Sequence, residues 1–316
     1  MKSKVVVFAY HNVGVRCLKV LIDKNVDIAL VVTHKDKDSE NIWFESVEKI
    51  ASNYGIKVET PENPNDPLFI QKIININPDF IFSFYYRHML CSELLSAARI
   101  QAFNMHGSLL PKYRGRVPIN WAIIHGENET GATLHVMNEQ PDNGDIVDQM
   151  SVPILFDDTA LEVFSKVTCA AEIVLNRSVD KILNESAIFT PQNLSLGSYY
   201  GGRKQEDGEI HFNISGMKLH DFIRALAYPF PGAFFYTNEK KVIIWKARLL
   251  DVAVENKSNG FYLYCSDGKL FINTSDSKLL IVLSAEVDSI SLDANNFESI
   301  FGSQQIKPIL NQHEKH

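Results

Sequence analysis

Through the first half of the chain, short apolar runs alternate with stretches whose apolar positions recur every three or four residues. Lys4–Ala9, Asp27–His34, Asp79–Tyr86 and Ala102–Ser108 are rich in Val, Ile and Phe. They lack the polar alternation of a half-exposed strand, which predicts strands buried on both faces. Between them, Gly14–Lys24, Trp43–Tyr54, Pro67–Ile76 and Ser92–Ala97 have helical spacing. Such alternation implies an α/β unit, a Rossmann-like parallel sheet covered by helices. Gly131–Asn138 and Asp145–Leu155 predict two later strands, and Thr159–Leu183 a long helix with Asp158 as its cap.

The texture changes over Gln192–Glu209, where Ser, Gly, Asn and charged residues concentrate, as expected of a connection between domains. Beyond it, Ser215–Ala227 has helical spacing. Then come short runs: Ala233–Thr237, Lys241–Leu249, Gly260–Cys265, Lys269–Asn273 and Lys278–Leu283. Turn signals such as Ser266-Asp267-Gly268 separate them, which predicts a small antiparallel β barrel or sheet. The division falls between residues 1–203 and 204–316, and the polar last dozen residues are expected to fray.

Composition narrows the class. A chain of 316 residues accommodates two domains, and 45% hydrophobic with 22% charged residues is ordinary for a globular protein. No apolar run approaches the roughly 20 residues that span a bilayer. The basic start and short apolar run of Met1–Ala9 end at Tyr10-His11-Asn12 without a small-residue cleavage pattern, so a first buried strand is expected there. Cys17, Cys91, Cys169 and Cys265 are widely spaced, with no C-x-x-C pair, which points to a reducing cytoplasm and to no metal site. A net charge of -7 argues against a broad nucleic-acid surface.

Candidate chemistry concentrates in Phe103-Asn104-Met105-His106-Gly107-Ser108-Leu109-Leu110-Pro111-Lys112-Tyr113-Arg114-Gly115-Arg116 and in Gln140-Pro141-Asp142-Asn143-Gly144. Asn104 and His106 are two apart on a strand, so their side chains leave on one face. The strand breaks into a Gly-, Pro- and Arg-rich loop, a usual location for chemistry at the end of a sheet strand. Asp142 lies on a Pro-Asp-Asn-Gly turn, where it could accept a hydrogen bond from the imidazole. Alone, an Asn-x-His pair is more often structural, and Asp142 more often a turn residue. His125 and His135 sit inside apolar elements and read as packing residues. The loop after the first strand, Ala9–Gly14, has a single glycine and is not G-x-G-x-x-G, so no nicotinamide cofactor is implied.

The pattern Asn-x-His-x-Ser-x-Leu-Pro-x-Tyr-Arg-Gly with a later Asp-x-Gly resembles the formyltransferases that use 10-formyltetrahydrofolate. These act on methionyl-tRNA, glycinamide ribonucleotide or nucleotide-linked amino sugars. The likeness is greatest to the formyltransferase domain of the bifunctional enzymes that modify UDP-4-amino-4-deoxy-L-arabinose. It extends through Val7–His11, Phe82–His88 and Tyr228–Phe234. The resemblance implies a formyltransferase catalytic domain over 1–203, followed by a barrel-like, OB-type C-terminal domain.

It also implies roles. His106 would carry the proton, Asn104 would donate to the oxyanion, and Asp142 would orient the imidazole and favour its protonated form. His88, Met89 and Leu90 match the segment whose backbone meets the pterin, Asn138, Glu139, Gln140, Pro141 and Asp142 line the same slot, and Arg116 matches a binding position. Arg114 is left unassigned. The β-rich second domain weighs against glycinamide ribonucleotide as acceptor. The near-balanced charges of His34–Glu40, where methionyl-tRNA enzymes carry a basic insertion, weigh against tRNA. A nucleotide-linked amino-dideoxy sugar, UDP- or dTDP-linked and 4-amino by preference, is the expected acceptor. The chain ends at His316 with no second Rossmann unit, so a stand-alone enzyme acting on a sugar other than arabinosamine is expected, and a cytoplasmic location and a homodimer are further expectations. The alternatives are a methionyl-tRNA formyltransferase and a non-catalytic folate-binding module.

Overall fold

The structure, a computed structural model, describes residues 2–37, 40–237, 240–251 and 260–307. The expected fraying of the last dozen residues falls mostly on 308–316, outside the described residues, as do Asp38 and Ser39. The chain divides into two compact units. The first holds Met1–Pro118, Glu129–Pro153 and Phe164–Gly202; the second holds Ile119–Asn128, Ile154–Val163 and Arg203–His316.

The first unit begins β1 (Lys4–Ala9), α1 (His11–Asp23), β2 (Asp27–Val32), α2 (Val47–Asn53), β3 (Val58–Glu59), α3 (Pro67–Ile76), β4 (Phe80–Phe84), α4 (Ser92–Leu95) and β5 (Gln101–His106). After β6 (Arg114–Gly115) and α5 (Pro118–Ile124) come β7 (Glu129–Val136), β8 (Ile146–Pro153), α6 (Ala160–Leu183) and β9 (Tyr199–Tyr200). The main sheet has seven strands in the order β3-β2-β1-β4-β5-β7-β8. Strands β1 to β5 pair in parallel, as the alternation implies. The two later strands do not: β7 is antiparallel to both β5 and β8. A nine-residue loop, 137–145, joins β7 to β8 without a crossover helix, so the pair can only run antiparallel. The sheet is therefore mixed.

Both faces are covered, which is why the strands are apolar throughout. On one face Val6, Phe8, Leu30, Val32, Ile81 and Ala102 pack with Phe69, Ile70 and Ile73 of α3 and Leu94 of α4. On the other, α1 comes close enough to the sheet that a Cβ at Gly14 would lie 3.2 Å from Ala9 and 3.3 Å from the Phe84 carbonyl oxygen. The lone glycine of that loop thus serves helix–sheet packing. Phe80, Phe82, Phe84 and Phe103 are fully buried, each contributing about 1.5–3 kcal/mol by removal from water. Helix α6 begins with a capping box: the Thr159 N–H and hydroxyl both reach the Glu162 carboxylate at 2.7 Å, and the Glu162 N–H returns to the Thr159 hydroxyl. Asp158, expected as the cap, instead accepts the Leu155 N–H at 2.6 Å.

The second unit contains α7 (Gly216–Leu226), capped by Ser215, then β10 (Ala233–Thr237), β11 (Lys240–Leu250), β12 (Tyr262–Ser266), β13 (Lys269–Asn273) and β14 (Leu279–Val287). The short β15 (Ile290–Ser291), α8 (Phe297–Phe301) and β16 (Gln305–Ile306) follow. Strand order is β10-β11-β14-β13-β12-β16, and every pair is antiparallel. This curled sheet packs its inner face on Leu219, Ile223 and Leu226 of α7 and on Phe297 of α8. Two segments from earlier in the chain belong here. The Asn120 amide donates to the Ala225 carbonyl at 2.7 Å, and buried Arg224 donates to the Leu155 and Asp158 carbonyls while pairing with Asp221. His125, expected inside an apolar element, is exposed at the end of α5, its ring stacked on Trp121.

At the carboxyl ends of β1, β2 and β4 the first unit carries an aromatic cluster. The His11 ring packs on Phe44, Trp43 and Phe164 with centroids 4.0, 4.4 and 4.7 Å away, and its buried Nδ1 makes no hydrogen bond among the described residues. Burial, helped by the Arg87 charge, lowers the His11 pKa to about 3. His34 stacks on Tyr86 and accepts the Arg87 N–H; burial, then the His88 and Arg87 charges, lower its pKa to about 4. The folded protein keeps both rings neutral where the unfolded chain protonates them, near pH 6.5. Stability is therefore expected to fall as pH drops from 6.5 towards 4. His11 alone costs up to about 1.4 kcal/mol per pH unit. Urea unfolding at stepped pH should show a shallower acid slope for His11→Asn, an exchange that tolerates the left-handed φ of +66°. An unchanged slope would acquit His11.

Candidate active site

Strand β5 ends in the site. Asn104 and His106 lie on the same face, and the antiparallel register of β5 with β7 sets His135 opposite Asn104 and Thr133 opposite His106. Asp142 is on the turn between β7 and β8, in the left-handed region at φ +56°. The three expected catalytic residues meet. Asp142 Oδ1 stands 3.5 Å from His106 Nδ1, 3.5 Å from Asn104 Nδ2 and 3.4 Å from His135 Nε2. Its other oxygen, Oδ2, accepts the Gly115 N–H at 2.8 Å. Only 10% of the Asp142 side chain is exposed. Burial alone would raise its pKa, but the His106 imidazole and the Gly115 N–H hold it well below the usual carboxylate range. Asp142 is thus ionised at every working pH.

His106 is held from its other side. Its Nε2 lies 2.8 Å from the Tyr113 carbonyl oxygen, and since a carbonyl can only accept, Nε2 carries a proton. The loop that supplies this carbonyl is anchored at several points. Ser108 donates to the Lys112 carbonyl at 2.6 Å, Thr133 donates to the Ser108 carbonyl at 2.6 Å, and Gln149 donates to the Leu110 carbonyl at 2.7 Å. Thr133 therefore fixes the loop from the strand position opposite His106.

His135 is buried, as its apolar surroundings suggest, yet it also belongs to the cluster. Its Nε2 is 3.0 Å from Asn104 Nδ2, and its Nδ1 is 2.8 Å from the Val136 carbonyl oxygen. Sequence carried no signal for this, because the residue opposite Asn104 is set by the pairing register of β5 with β7.

The expected folate segments also come together. His88 and Met89 are exposed and Leu90 is buried; Asn138, Glu139 and Gln140 are exposed, and Pro141 is half-buried. Ser92 donates to the Glu139 carboxylate at 2.9 Å, tying the two segments, and Asn65 brackets the first by donating to the Met89 carbonyl and accepting the Cys91 N–H. Arg116 is exposed, and no hydrogen bond or ion pair engages its guanidinium among the described residues. Arg114 has a structural partner: it donates to the Asn143 side-chain oxygen at 2.5 Å, linking β6 to the Asp142 turn.

The turn is closed from behind. Gln192 donates to the carbonyls of Asp142 and Gly144 at 3.0 and 2.6 Å. A Cβ at Gly144 would lie 1.9 Å from the Val136 carbonyl oxygen, a backbone atom with no room to retreat. That approach is the physical content of the Asp-x-Gly pattern. Gly144→Ala is expected to lower stability by about 1–3 kcal/mol through overpacking and to lower turnover further by displacing Asp142. Gly201→Ala, whose Cβ would meet nothing within 4 Å, serves as control. Thermal midpoint and turnover measured on both variants check this; wild-type turnover in Gly144→Ala would refute it.

Comparison with known proteins finds similar folds. The chain is similar in fold to WlaRD, a sugar 3N-formyl transferase solved with dTDP and 5-N-formyl-THF. The identity is 22% and the TM-score 0.70, covering 92% of this chain and 99% of that one. An N-formyltransferase from Helicobacter canadensis, solved with folinic acid and dTDP-3-aminofucose, matches at 24% identity and TM-score 0.67, over 89% and 99% of the two chains. A 4-N formyltransferase from Francisella tularensis matches at 24% identity and TM-score 0.61, over 75% and 93%. In sequence, the formyl transferase family profile matches residues 1–179, and that of the formyl transferase C-terminal domain matches 203–299. With more than half its length matched by the first profile alone and the Asn104–His106–Asp142 constellation assembled within it, the chain belongs to the formyl transferase family.

Proposed function

We propose that this protein is an N-formyltransferase that moves the formyl group of 10-formyltetrahydrofolate to the amine of a nucleotide-linked amino-dideoxy sugar. The nucleotide is UDP or dTDP, a 4-amine is favoured, and the product serves surface polysaccharide or lipopolysaccharide assembly. The observation that carries the reading is the buried, ionised Asp142 with Asn104 and His106 gathered on one of its oxygens at the end of β5.

The acceptor amine attacks the formyl carbon, forming a C–N bond and a tetrahedral oxyanion. Collapse of that intermediate breaks the bond from carbon to the folate N10, which leaves with a proton. Asn104 donates to the oxyanion. With Nδ1–H turned to Asp142, His106 gives its Nε2 proton to N10 and regains one at Nε2 from the acceptor amine, so its Nε2–H must swing from the Tyr113 carbonyl to a substrate atom during the cycle. Ionised Asp142 stabilises the positive charge that grows on the ring during that transfer. His88–Leu90 and Asn138–Asp142 form the walls of the pterin slot, and exposed Arg116 offers its unengaged guanidinium to a ligand anion.

Three observations support a sugar nucleotide over tRNA. The similar structures include sugar N-formyltransferases whose length this chain matches almost fully. The net charge is -7. Over His34–Glu40, Lys35 and Lys37 are matched by Asp36, Asp38 and Glu40, so the segment carries no surplus of cations for phosphate. The same reading takes 1–203 as the catalytic domain and 204–316 as an OB-type companion, in a cytoplasmic homodimer.

A panel of UDP- and dTDP-linked amino sugars incubated with 10-formyltetrahydrofolate, read by mass spectrometry, should show formyl addition to at least one. Formylation of charged initiator tRNA with none of the sugars modified would overturn the acceptor. On the active substrate, His106→Ala should lose about 10²–10⁴ in kcat and Asn104→Ala about 10²–10³, with folate-analogue affinity retained. Near-normal kcat in either would remove that residue from its role.

A further inference from the structure

We propose that His135 is a positioning residue that sets the rotation of the Asn104 amide and so aims an N–H at the oxyanion. The inference rests on the reading of Asn104 as oxyanion donor.

The proton inventory of the site leads to it. His135 Nδ1 lies 2.8 Å from the Val136 carbonyl oxygen, which only accepts, so Nδ1 carries the proton and the lone pair of the neutral ring is at Nε2. That lone pair faces Asn104 Nδ2 at 3.0 Å. An Asn amide can be turned over with little change of shape, exchanging a two-proton donor for an acceptor. Here the exchange is forbidden by charge. Turned over, the Asn104 carbonyl oxygen would sit against the His135 lone pair and against ionised Asp142 Oδ1, which stands 3.5 Å from the present Nδ2. Two acceptors facing one position admit only the NH₂ end.

The two contacts are unequal, and the inequality matters. The bond to His135 at 3.0 Å is of ordinary length, whereas 3.5 Å to Asp142 lies beyond a good N–H···O distance. His135 therefore takes one amide hydrogen firmly, and the other is weakly held and available to a developing oxyanion. A doubly protonated His135 would instead direct Nε2–H at Asp142, 3.4 Å away, and present a donor to a donor at Asn104. The shorter contact is the one to Asn104, so the neutral ring fits the geometry. The antiparallel register holds the pair together, since Asn104 and His135 are direct cross-strand partners.

The test is a double-mutant cycle with Asn104. His135→Leu should lower kcat about 10–100-fold in the wild-type background, less than the about 10²–10³ lost with an oxyanion donor itself. In the Asn104→Ala background the same substitution should change kcat by less than about threefold, because the residue through which it acts is gone. His135→Gln, which keeps an acceptor at the reach of Nε2, should restore most of the kcat, and folate-analogue affinity should hold across the set. Should His135→Leu fail to fold, His135→Asn, polar but too short to reach Asn104, takes its place with the same expectation. Equal losses in both backgrounds, or no rescue by Gln, would overturn the proposal while leaving the catalytic reading intact. Full activity in Asn104→Ala would overturn the catalytic reading and this inference with it.

Discussion

One buried negative charge organises the first unit. A carboxylate removed from water must be repaid in hydrogen bonds and opposite charge, or it takes up a proton. Asp142 remains ionised because the Gly115 N–H, the His106 imidazole and the Asn104 amide turn towards it. Each of those groups requires its own element to stay in place: β5 for Asn104 and His106, β6 for Gly115. The charge therefore specifies the packing of the loops that surround it. A neutral residue of the same size would release the turn from that obligation.

Most of the fold was legible because burial on two faces leaves an unambiguous trace. Lys4–Ala9, Pro67–Ile76, Ala233–Thr237 and Lys269–Asn273 have the boundaries their patterns predict. Strand direction was less legible: β7 and β8 carry more polar residues than β1, β2 and β4, β8 is largely half-buried, and the helix-free loop between them makes the pair antiparallel. Helix capping was read one residue early, since Asp158 and Thr159 are both good caps and the deciding partner, Glu162, lies inside the helix. The inclusion of 119–128 and 154–163 in the second unit was not visible at all. It depends on hydrogen bonds such as Asn120 to Ala225, which join residues far apart in the chain.

The site was legible to the extent that its residues are close in sequence or carried by a motif. Asn104 and His106 satisfied both conditions, and Asp142 the second. His135 satisfied neither, since a histidine flanked by Leu134 and Val136 has the sequence environment of a core residue and acquires its polar neighbours only through strand pairing. The Tyr113 carbonyl was equally hidden, because a backbone acceptor has no sequence signature. Arg114, left unassigned from sequence, turns out to brace the Asp142 turn through Asn143, whereas Arg116, next but one, is exposed without a side-chain partner among the described residues.

The segment that follows α6 laces this arrangement shut. Thr190 exchanges backbone hydrogen bonds with Ile146, Gln192 holds the carbonyls on either side of Asn143, and Tyr199–Tyr200 pairs with Arg114–Gly115. Thr190, Gln192 and Tyr199–Tyr200 hold backbone around the Asn104–His106–Asp142 cluster, yet all lie beyond residue 179, where the match to the first family profile stops. The smallest transplantable formyl-transfer module is consequently longer than the stretch that sequence likeness delimits. A graft or fusion that ends with α6 would carry Asn104, His106 and Asp142 and leave behind the thread that closes the loops around them.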